Sequence, residues 1–361
     1  MLKIMHIVGA RPNFPKVAPI MAEMAKQPDR FDQVLVHTGQ HYDYNMSQVF
    51  FEHLEMPTPD EYLNVGSGSH AAQTAAIMTS FEPIVLKHRP DCVVVVGDVN
   101  STVACALVCA KIGVRVAHVE AGLRSRDRTM PEEINRLLTD QISDLLFTPS
   151  KDGNENLIRE GVDPAKIHFV GNVMIDTLVK LLPQALQRNT LKKFSMKAKE
   201  YILVTLHRPS NVDDPTVLRG ILQAMAEISQ DVPVIFPVHP RTRSRIHELN
   251  ESVPKETLQL VDPLGYLDFL ALMNAAKLVV TDSGGIQEET TYLGVPCLTA
   301  RPNTERPITL SEGTNRLTGS RYQDLIEATR ESFHRQNGLF RKPELWDGQT
   351  AARIAEVMLK K

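Results

Sequence analysis

Cysteine is scarce. The 361-residue chain holds four, Cys92, Cys105, Cys109 and Cys297, and no CxxC pair among them. That leaves no disulfide framework and no thiolate zinc site. Cys105 and Cys109 stand four apart on an apolar helical segment, and Cys92 and Cys297 lie in strand-like runs, so all four read as buried free thiols. A reduced, cytoplasmic compartment is the expectation. An excess of one charge is also missing: 40 Lys and Arg face 43 Asp and Glu, for a net charge of −3. The balance gives neither the electrostatic footprint of a nucleic-acid binder nor a polybasic membrane patch. No apolar run reaches the ~18 residues that would span a bilayer. The opening MLKIMHIVGARP lacks the apolar region and cleavage site of a signal peptide and reads as a strand and turn. Three cofactor signatures are absent as well. There is no GxxxxGK[ST]; the nearest approach to GxGxxG is VGSGSH (65–70), which follows no convincing strand; and the 12 histidines show no HExxH or other paired metal spacing. Neither a cofactor nor a metal is expected.

What is present is a rhythm. Strand-like runs KIMHIV (3–8), QVLVH (33–37), CVVVVG (92–97), RVAHVE (115–120), LLFT (145–148) and HFVG (168–171) alternate with helical stretches near 15–27, 46–54, 70–88, 101–112, 131–142 and 151–160. Val93–Val96 is apolar throughout, as suits a parallel strand covered on both faces. The rhythm restarts with YILVTL (201–206), VIFPV (234–238), LQLV (258–261), KLVVT (277–281) and PCLT (296–299). The fold class is therefore α/β: two Rossmann-like, doubly wound domains over 1–180 and 200–346, with a cleft between them. The Lys-rich stretch 187–200 is the linker candidate, and 347–361 a closing helix with no strand after it. Functional residues should gather at the C-terminal strand ends.

Polar groups do stand there. Gly9–Lys16 (GARPNFPK) places Arg11 and Lys16 around a helix start, where they meet an anion or remain solvated turn charges. Asp98 ends the valine strand, and Ser101 is placed as a helix N-cap. Glu120 ends the next strand, where an unpaired carboxylate is costly; it pairs with Arg124 or Arg126, or waits for a ligand. Glu132 opens a helix behind Pro131 and is either a dipole complement or the third member of a convergent acid set with Asp98 and Glu120. In the second half, His207-Arg208 and His239 with Arg241 follow strands, and the turn PNTERP adds Glu305 and Arg306. The stretch TDSGGIQEETTYLG (281–294) empties a strand through Gly284-Gly285 into a helix, a ready anion cradle, yet carries Glu288 and Glu289 about one turn on. A nucleotide reconciles the two: its diphosphate faces the glycines and its ribose diol donates to Glu289.

These residues together resemble the non-hydrolysing UDP-N-acetylglucosamine 2-epimerases. The series GARPNFPKVAP, TGQHYDYNMSQVFF, VVGDVNST, AHVEAGLRS, MPEEINR, FVGNVMIDT, TLHR, PVHP, TDSGGIQEE and TERP carries the likeness over nearly the whole chain. The resemblance implies the glycosyltransferase-B architecture, a homodimer, and UDP held by the second domain. It implies diphosphate and ribose contacts at Ser283, Gly284, Gly285 and Glu289, a uracil-packing Phe269, and further UDP or sugar contacts at Arg11, Arg136, Arg306 and His239. It implies a catalytic set of Asp98, Glu120, Glu132 and His207, assisted by Lys16. It also implies that the closing helix packs on the first domain. The implied reaction is elimination of UDP to a 2-acetamidoglucal, then re-addition with inversion at C2. Two departures stand out: Pro209 and Ser210 replace an Arg and a Glu after the His-Arg pair, and Asp43 replaces a Gln or Glu. They leave room for a related substrate such as a UDP-diacetamido uronic acid. A glycosyltransferase of the same architecture, a hydrolysing epimerase and a non-catalytic nucleotide-sugar sensor are the rival readings.

Overall fold

The valine strand predicted at 92–97 lies at the heart of the first sheet: all five residues of Cys92–Val96 are buried. Each fully buried valine side chain contributes about 1.5–3 kcal/mol relative to exposure, so this short strand anchors its half of the molecule. The computed structural model describes residues 1–39, 54–249, 254, 256–334 and 340–360. The expected helix at 46–54 (but for Leu54), most of the TGQHYDYNMSQVFF segment and Asp43 lie outside the described residues.

The chain divides into two units, Met1–Leu178 with Glu344–Lys361, and Val179–Pro343. The first unit contains β1 (Leu2–Val8), β2 (Phe31–His37), β3 (Glu61–Tyr62), β4 (Cys92–Val96), β5 (Arg115–Val119), β6 (Leu145–Thr148) and β7 (Ile167–Phe169). They form one sheet in the order β3-β2-β1-β4-β5-β6-β7, every pair parallel. The second unit repeats the design with β8 (Ile202–Thr205), β9 (Val234–Pro237), β10 (Leu258–Val261), β11 (Leu278–Thr281), β12 (Cys297–Thr299) and β13 (Asn315–Leu317). Their order is β10-β9-β8-β11-β12-β13, again all parallel. Both orders reverse direction once, between β1 and β4 and between β8 and β11. Ligands of doubly wound sheets bind outside the carboxyl ends of the strands at such a reversal.

Two strands have no counterpart in the sequence reading. β3 has two residues and β13 three, too short for alternation to show. The linker expected at 187–200 is instead folded onto the second unit. Arg188 donates to both oxygens of Asp268 at 2.7 and 3.1 Å, and Thr190 Oγ1 donates to Asp268 at 2.6 Å. Lys199 Nζ donates to the carbonyls of Asn274 and Ala276. Arg188, Thr190 and Lys199 thus tie the stretch to the second unit, and the division between units falls earlier, inside the helix Val173–Leu186.

The closing helix Thr350–Lys360 belongs to the first unit and lies against the helix Phe14–Ala25. Asp176 caps it, accepting from Thr350 N at 3.1 Å and Ala351 N at 2.7 Å. All four cysteines are free and buried. Burial pushes Cys92, Cys109 and Cys297 up to about 12, which leaves them inert. Among the described residues, no helix is long and apolar enough to cross a membrane.

Candidate active site

In the first unit the site grows from β1, β4 and β5, three adjacent strands. β1 exits through Gly9-Ala10 into the turn Arg11–Asn13 and then the helix Phe14–Ala25. The buried Asn13 ties this exit together. Its Oδ1 accepts from Gly9 N at 3.1 Å and Ala10 N at 2.9 Å, while its Nδ2 donates to the Val96 carbonyl at the end of β4. Arg11 sits half-buried in the turn. One helical turn on, Lys16 is buried and ion-paired to Oε2 of Glu120. Of the two readings of Glu120, pairing with Arg124 or Arg126 is not the one found: its cation is Lys16. Arg124 lies 2.7 Å from Asp140 and donates to Glu160 at 2.9 and 2.6 Å, and Arg126 donates to Asn156 at 2.7 Å. Lysine reaches Glu120 first because the helix after β1 aims it across the strand ends.

Glu120 is held in an unusual state. Its φ is +71°, a left-handed conformation that costs a non-glycine residue about 1–3 kcal/mol. Its Oε1 is buried with no hydrogen-bond partner among the described residues, although buried polar atoms are normally satisfied. Strain and an orphaned carboxylate oxygen together mark a group kept for a ligand. Gly97, between β4 and Asp98, makes room for it: φ is +67°, and a Cβ there would sit 3.0 Å from Lys16 Nζ and 3.5 Å from Glu120 Oε2.

Asp98 follows at once and pairs with the buried guanidinium of Arg136. Arg136 also donates to Glu133 Oε2, from Nε at 3.1 Å and Nη2 at 2.9 Å. Of the two acids that open the helix Pro131–Ile142, Glu133 is therefore the architectural one. It accepts from Ser125 N at 2.9 Å and Arg126 N at 2.8 Å, and although burial pushes its pKa up, these donors and Arg136 hold it below the usual range. Glu132 is half-buried and has no hydrogen-bond or ion-pair partner among the described residues. Beneath this layer the fully buried His118 bridges Asp140 (Nδ1, 2.6 Å) and the Gly97 carbonyl (Nε2, 2.8 Å). Asp140 in turn accepts from Gly122 N at 3.0 Å.

In the second unit β8 and β11 are neighbours, with Thr205 opposite Thr281, so the groups that leave their ends emerge together. Asp282 follows β11 and is completely buried. Ser283 begins the helix Gly284–Leu293 without a side-chain cap, so the first amides are left to an external acceptor. The two glycines differ. A Cβ on Gly284 would lie 2.3 Å from Arg306 Nη1 and 2.5 Å from Glu305 Oε1, whereas one on Gly285 would meet nothing within 4 Å. Gly284 is required by the fold; Gly285 is not.

Of the acids that seemed to conflict with an anion cradle, one is paired with an arginine and the other is shifted toward its protonated form. Glu288 lies 2.8 Å from Arg306 Nε, and Arg306 and Arg301 both pair with Glu305. Glu289 is buried and accepts from the Tyr266 hydroxyl at 2.5 Å. Burial pushes it up to about 7, with Glu288 adding to the rise and Tyr266 opposing it. Phe269 sits half-buried on the same helix as Tyr266, three residues on. His207 is largely exposed, its Nδ1 3.0 Å from Asp282 Oδ1. His239 is exposed and acts as an N-cap, its Nδ1 accepting from Arg241 N at 3.3 Å, and Arg241 pairs with Asp213.

With that geometry, comparison with known proteins is decisive. A family model described as UDP-N-acetylglucosamine 2-epimerase matches residues 22–359. The chain belongs to that family. A UDP-N-acetylglucosamine 2-epimerase of Methanocaldococcus jannaschii is 41% identical over 99% of each chain. A crystal structure of the enzyme from that organism, in complex with UDP-GlcNAc and UDP, superposes with a TM-score of 0.92 at 41% identity and covers 100% of both chains. The UDP-2,3-diacetamido-2,3-dideoxy-D-glucuronate 2-epimerase of Pseudomonas aeruginosa is 42% identical over 99% of this chain and 100% of its own.

Within each unit the structure gathers several of the residues singled out from sequence. Lys16, Asp98, Glu120 and Arg136 belong to one connected polar cluster with Gly97; His207, Ser283, Gly284, Gly285, Glu289 and Arg306 stand around the β8–β11 end. Sequence reasoning missed Asn13, Asp140, His118, Tyr266 and the role of Asp282. Asn13 and Asp282 had a usable signal, a small polar residue one or two positions from a functional one at a strand end. Tyr266 and Asp140 had none, because each is brought to its partner from another element.

Proposed function

We propose that the chain interconverts UDP-N-acetylglucosamine and UDP-N-acetylmannosamine. The observation that carries this reading is Glu120: a strained, buried carboxylate with one oxygen on Lys16 and the other without a partner among the described residues. C2 of an N-acetylhexosamine is not adjacent to a carbonyl, so its proton is not removed by simple enolisation. Elimination solves the problem. A carboxylate takes the C2 proton as the C1–O bond breaks, and the electron pair of that bond leaves on the β-phosphate oxygen of UDP. The product pair is 2-acetamidoglucal and bound UDP. Re-addition of UDP, with a proton delivered to the opposite face of C2, gives the epimer.

In this reading Asp98, Glu120 and Glu132 supply the acid and base groups, and Lys16 holds Glu120 in place through their ion pair. The amides of the helix Gly284–Leu293 hold the leaving diphosphate, Glu289 accepts from the ribose diol, and Phe269 packs on the uracil. Arg11, Arg136, Arg306 and His239 are assigned to the remaining UDP and sugar contacts; Arg136 and Arg306 also pair with acidic side chains. A homodimer belongs to the same proposal on the family resemblance, and a cytoplasmic location on the four free, buried cysteines.

The test is incubation with UDP-N-acetylglucosamine in D2O without an acceptor, followed by NMR. The expected result is UDP-N-acetylmannosamine carrying deuterium at C2, with no steady build-up of free UDP. Free N-acetylmannosamine would make the chain a hydrolysing enzyme, and a product without deuterium would remove the elimination route. A second substrate is favoured by one observation: the Pseudomonas relative named for a diacetamido uronate matches at 42% identity, level with the 41% of the Methanocaldococcus enzyme. The same assay with UDP-2,3-diacetamido-2,3-dideoxy-D-glucuronate compares the two by kcat/KM.

A further inference from the structure

We propose that Asp282 is a positioning residue for His207, holding the imidazole through Nδ1 and leaving Nε2 to carry a proton to and from the departing diphosphate. The inference rests on the epimerase reading above and adds a group that reading does not contain.

Asp282 is fully buried, while the His207 side chain is 58% exposed. The carboxylate cannot swing. Oδ1 and Oδ2 accept from His207 N at 3.1 and 3.0 Å, and Oδ2 also takes Arg208 N at 2.9 Å and Asn211 Nδ2 at 3.0 Å. Asn211 is itself pinned by donating to the Ala300 carbonyl at 3.1 Å. Burial raises the Asp282 carboxyl, but its donors, His207 foremost, outweigh burial and hold it below the usual carboxylate range. An ionised carboxylate only accepts, so the nitrogen 3.0 Å from it, His207 Nδ1, is the one that carries hydrogen.

A purely architectural role does not account for the ring. The two backbone N–H groups and Asn211 already satisfy the buried charge, and an ion pair to a mostly exposed imidazole adds little stability. What the ring gains is orientation. Because Thr205 and Thr281 are paired across β8 and β11, His207 leaves the sheet beside the uncapped helix N-terminus assigned to the diphosphate. As the C1–O bond breaks and its electrons pass to the β-phosphate oxygen, an imidazolium there gives its Nε2 proton to UDP. On re-addition UDP returns the proton to Nε2. The carboxylate of Asp282 fixes the tautomer and stabilises the imidazolium, as the acidic partner of a catalytic histidine does elsewhere.

The test uses the full-length protein and two readouts. Nitrogen-15 NMR of labelled histidines, with the His207 resonances assigned by their loss in His207→Ala, reads the tautomer directly. Kinetics of Asp282→Asn, with UDP affinity by calorimetry, separate turnover from binding. We expect neutral His207 to be in the Nδ1–H form, and Asp282→Asn to lose about 10²-fold or more in kcat while UDP affinity stays within about threefold. A wild-type Nε2–H tautomer overturns the proposal, and so does a folded Asp282→Asn with wild-type kcat. Should that variant fail to fold, the tautomer decides alone. A wild-type protein that binds UDP yet epimerises no UDP-sugar refutes the proposed function instead, a result kept distinct by the tautomer readout.

Discussion

The neighbouring glycines of the second unit should respond to one methyl group with opposite signs. At Gly284 a Cβ would fall 2.3 Å from Arg306 Nη1 and 2.5 Å from Glu305 Oε1, and the far side of that guanidinium holds Glu288 at 2.8 Å. Gly284→Ala must push Arg306 off a buried acid. Breaking a buried pair costs about 3–5 kcal/mol, and partial relaxation brings the expectation to about 2–4. At Gly285 the added carbon meets nothing within 4 Å and φ is not left-handed, so the chain loses only unfolded-state freedom, and Gly285→Ala should stabilise by about 0.5–1 kcal/mol. The space it fills is where the amides of this helix would meet a diphosphate. Displacing one or two charge-assisted hydrogen bonds, each worth about 1.5–3 kcal/mol, weakens UDP by roughly 10- to 100-fold or more. Thermal unfolding reads the first effect and titration calorimetry with UDP the second. For a unit of this size 1 kcal/mol moves Tm by about 2–4 °C, so the two variants should separate clearly on either side of wild type. A Gly285→Ala protein that binds UDP as wild type would refute the assignment of the cradle. A destabilised one would refute the packing argument.

Two further outcomes follow from the buried acids. Glu289 moves from an ordinary 4.5 to about 7 in the folded chain, so its contribution to stability is complete below about pH 4.5 and is lost as pH rises through 7. At about 1.4 kcal/mol for each factor of ten, Glu289→Gln should make the ligand-free protein more stable by up to about 3 kcal/mol at pH 8, with no gain at pH 4. UDP affinity of the wild type should rise between pH 6 and 8 as the ribose acceptor ionises, a pH dependence absent from the variant; a flat wild-type profile would remove Glu289 from the ribose site. In the first unit, Glu120→Gln should cut turnover by about 10²–10⁴-fold and, by leaving Lys16 buried without its charge partner, lower Tm. UDP should still bind, since its proposed contacts lie on other residues, and full activity would take Glu120 out of the mechanism.

Much of the candidate site was legible because doubly wound sheets put chemistry at strand ends, and strand ends are read from apolar runs that stop at a polar residue. Asp98, Glu120, His207 and Ser283 each follow such a run, and the glycines at 284 and 285 announced a helix entry. Partner choice was not legible. Nothing near Glu120 in sequence says that Lys16, 104 residues earlier, would reach it ahead of Arg124, nor that the Tyr266 hydroxyl would meet Glu289 from another helix.

Local pattern by itself determined eleven of the thirteen described strands, their order of appearance, the two-sheet organisation and the acids at the strand ends, since periodicity and turn chemistry act between residues a few positions apart. Only the tertiary structure decided which cation meets which carboxylate and that Arg188 and Thr190 are bound to Asp268 rather than free. It also decided that Gly284 is obligatory where Gly285 is not, and that Glu133 rather than Glu132 is locked into the architecture. Those outcomes depend on desolvation and on contacts between distant segments, whose energies exist only once the sheets have closed over them.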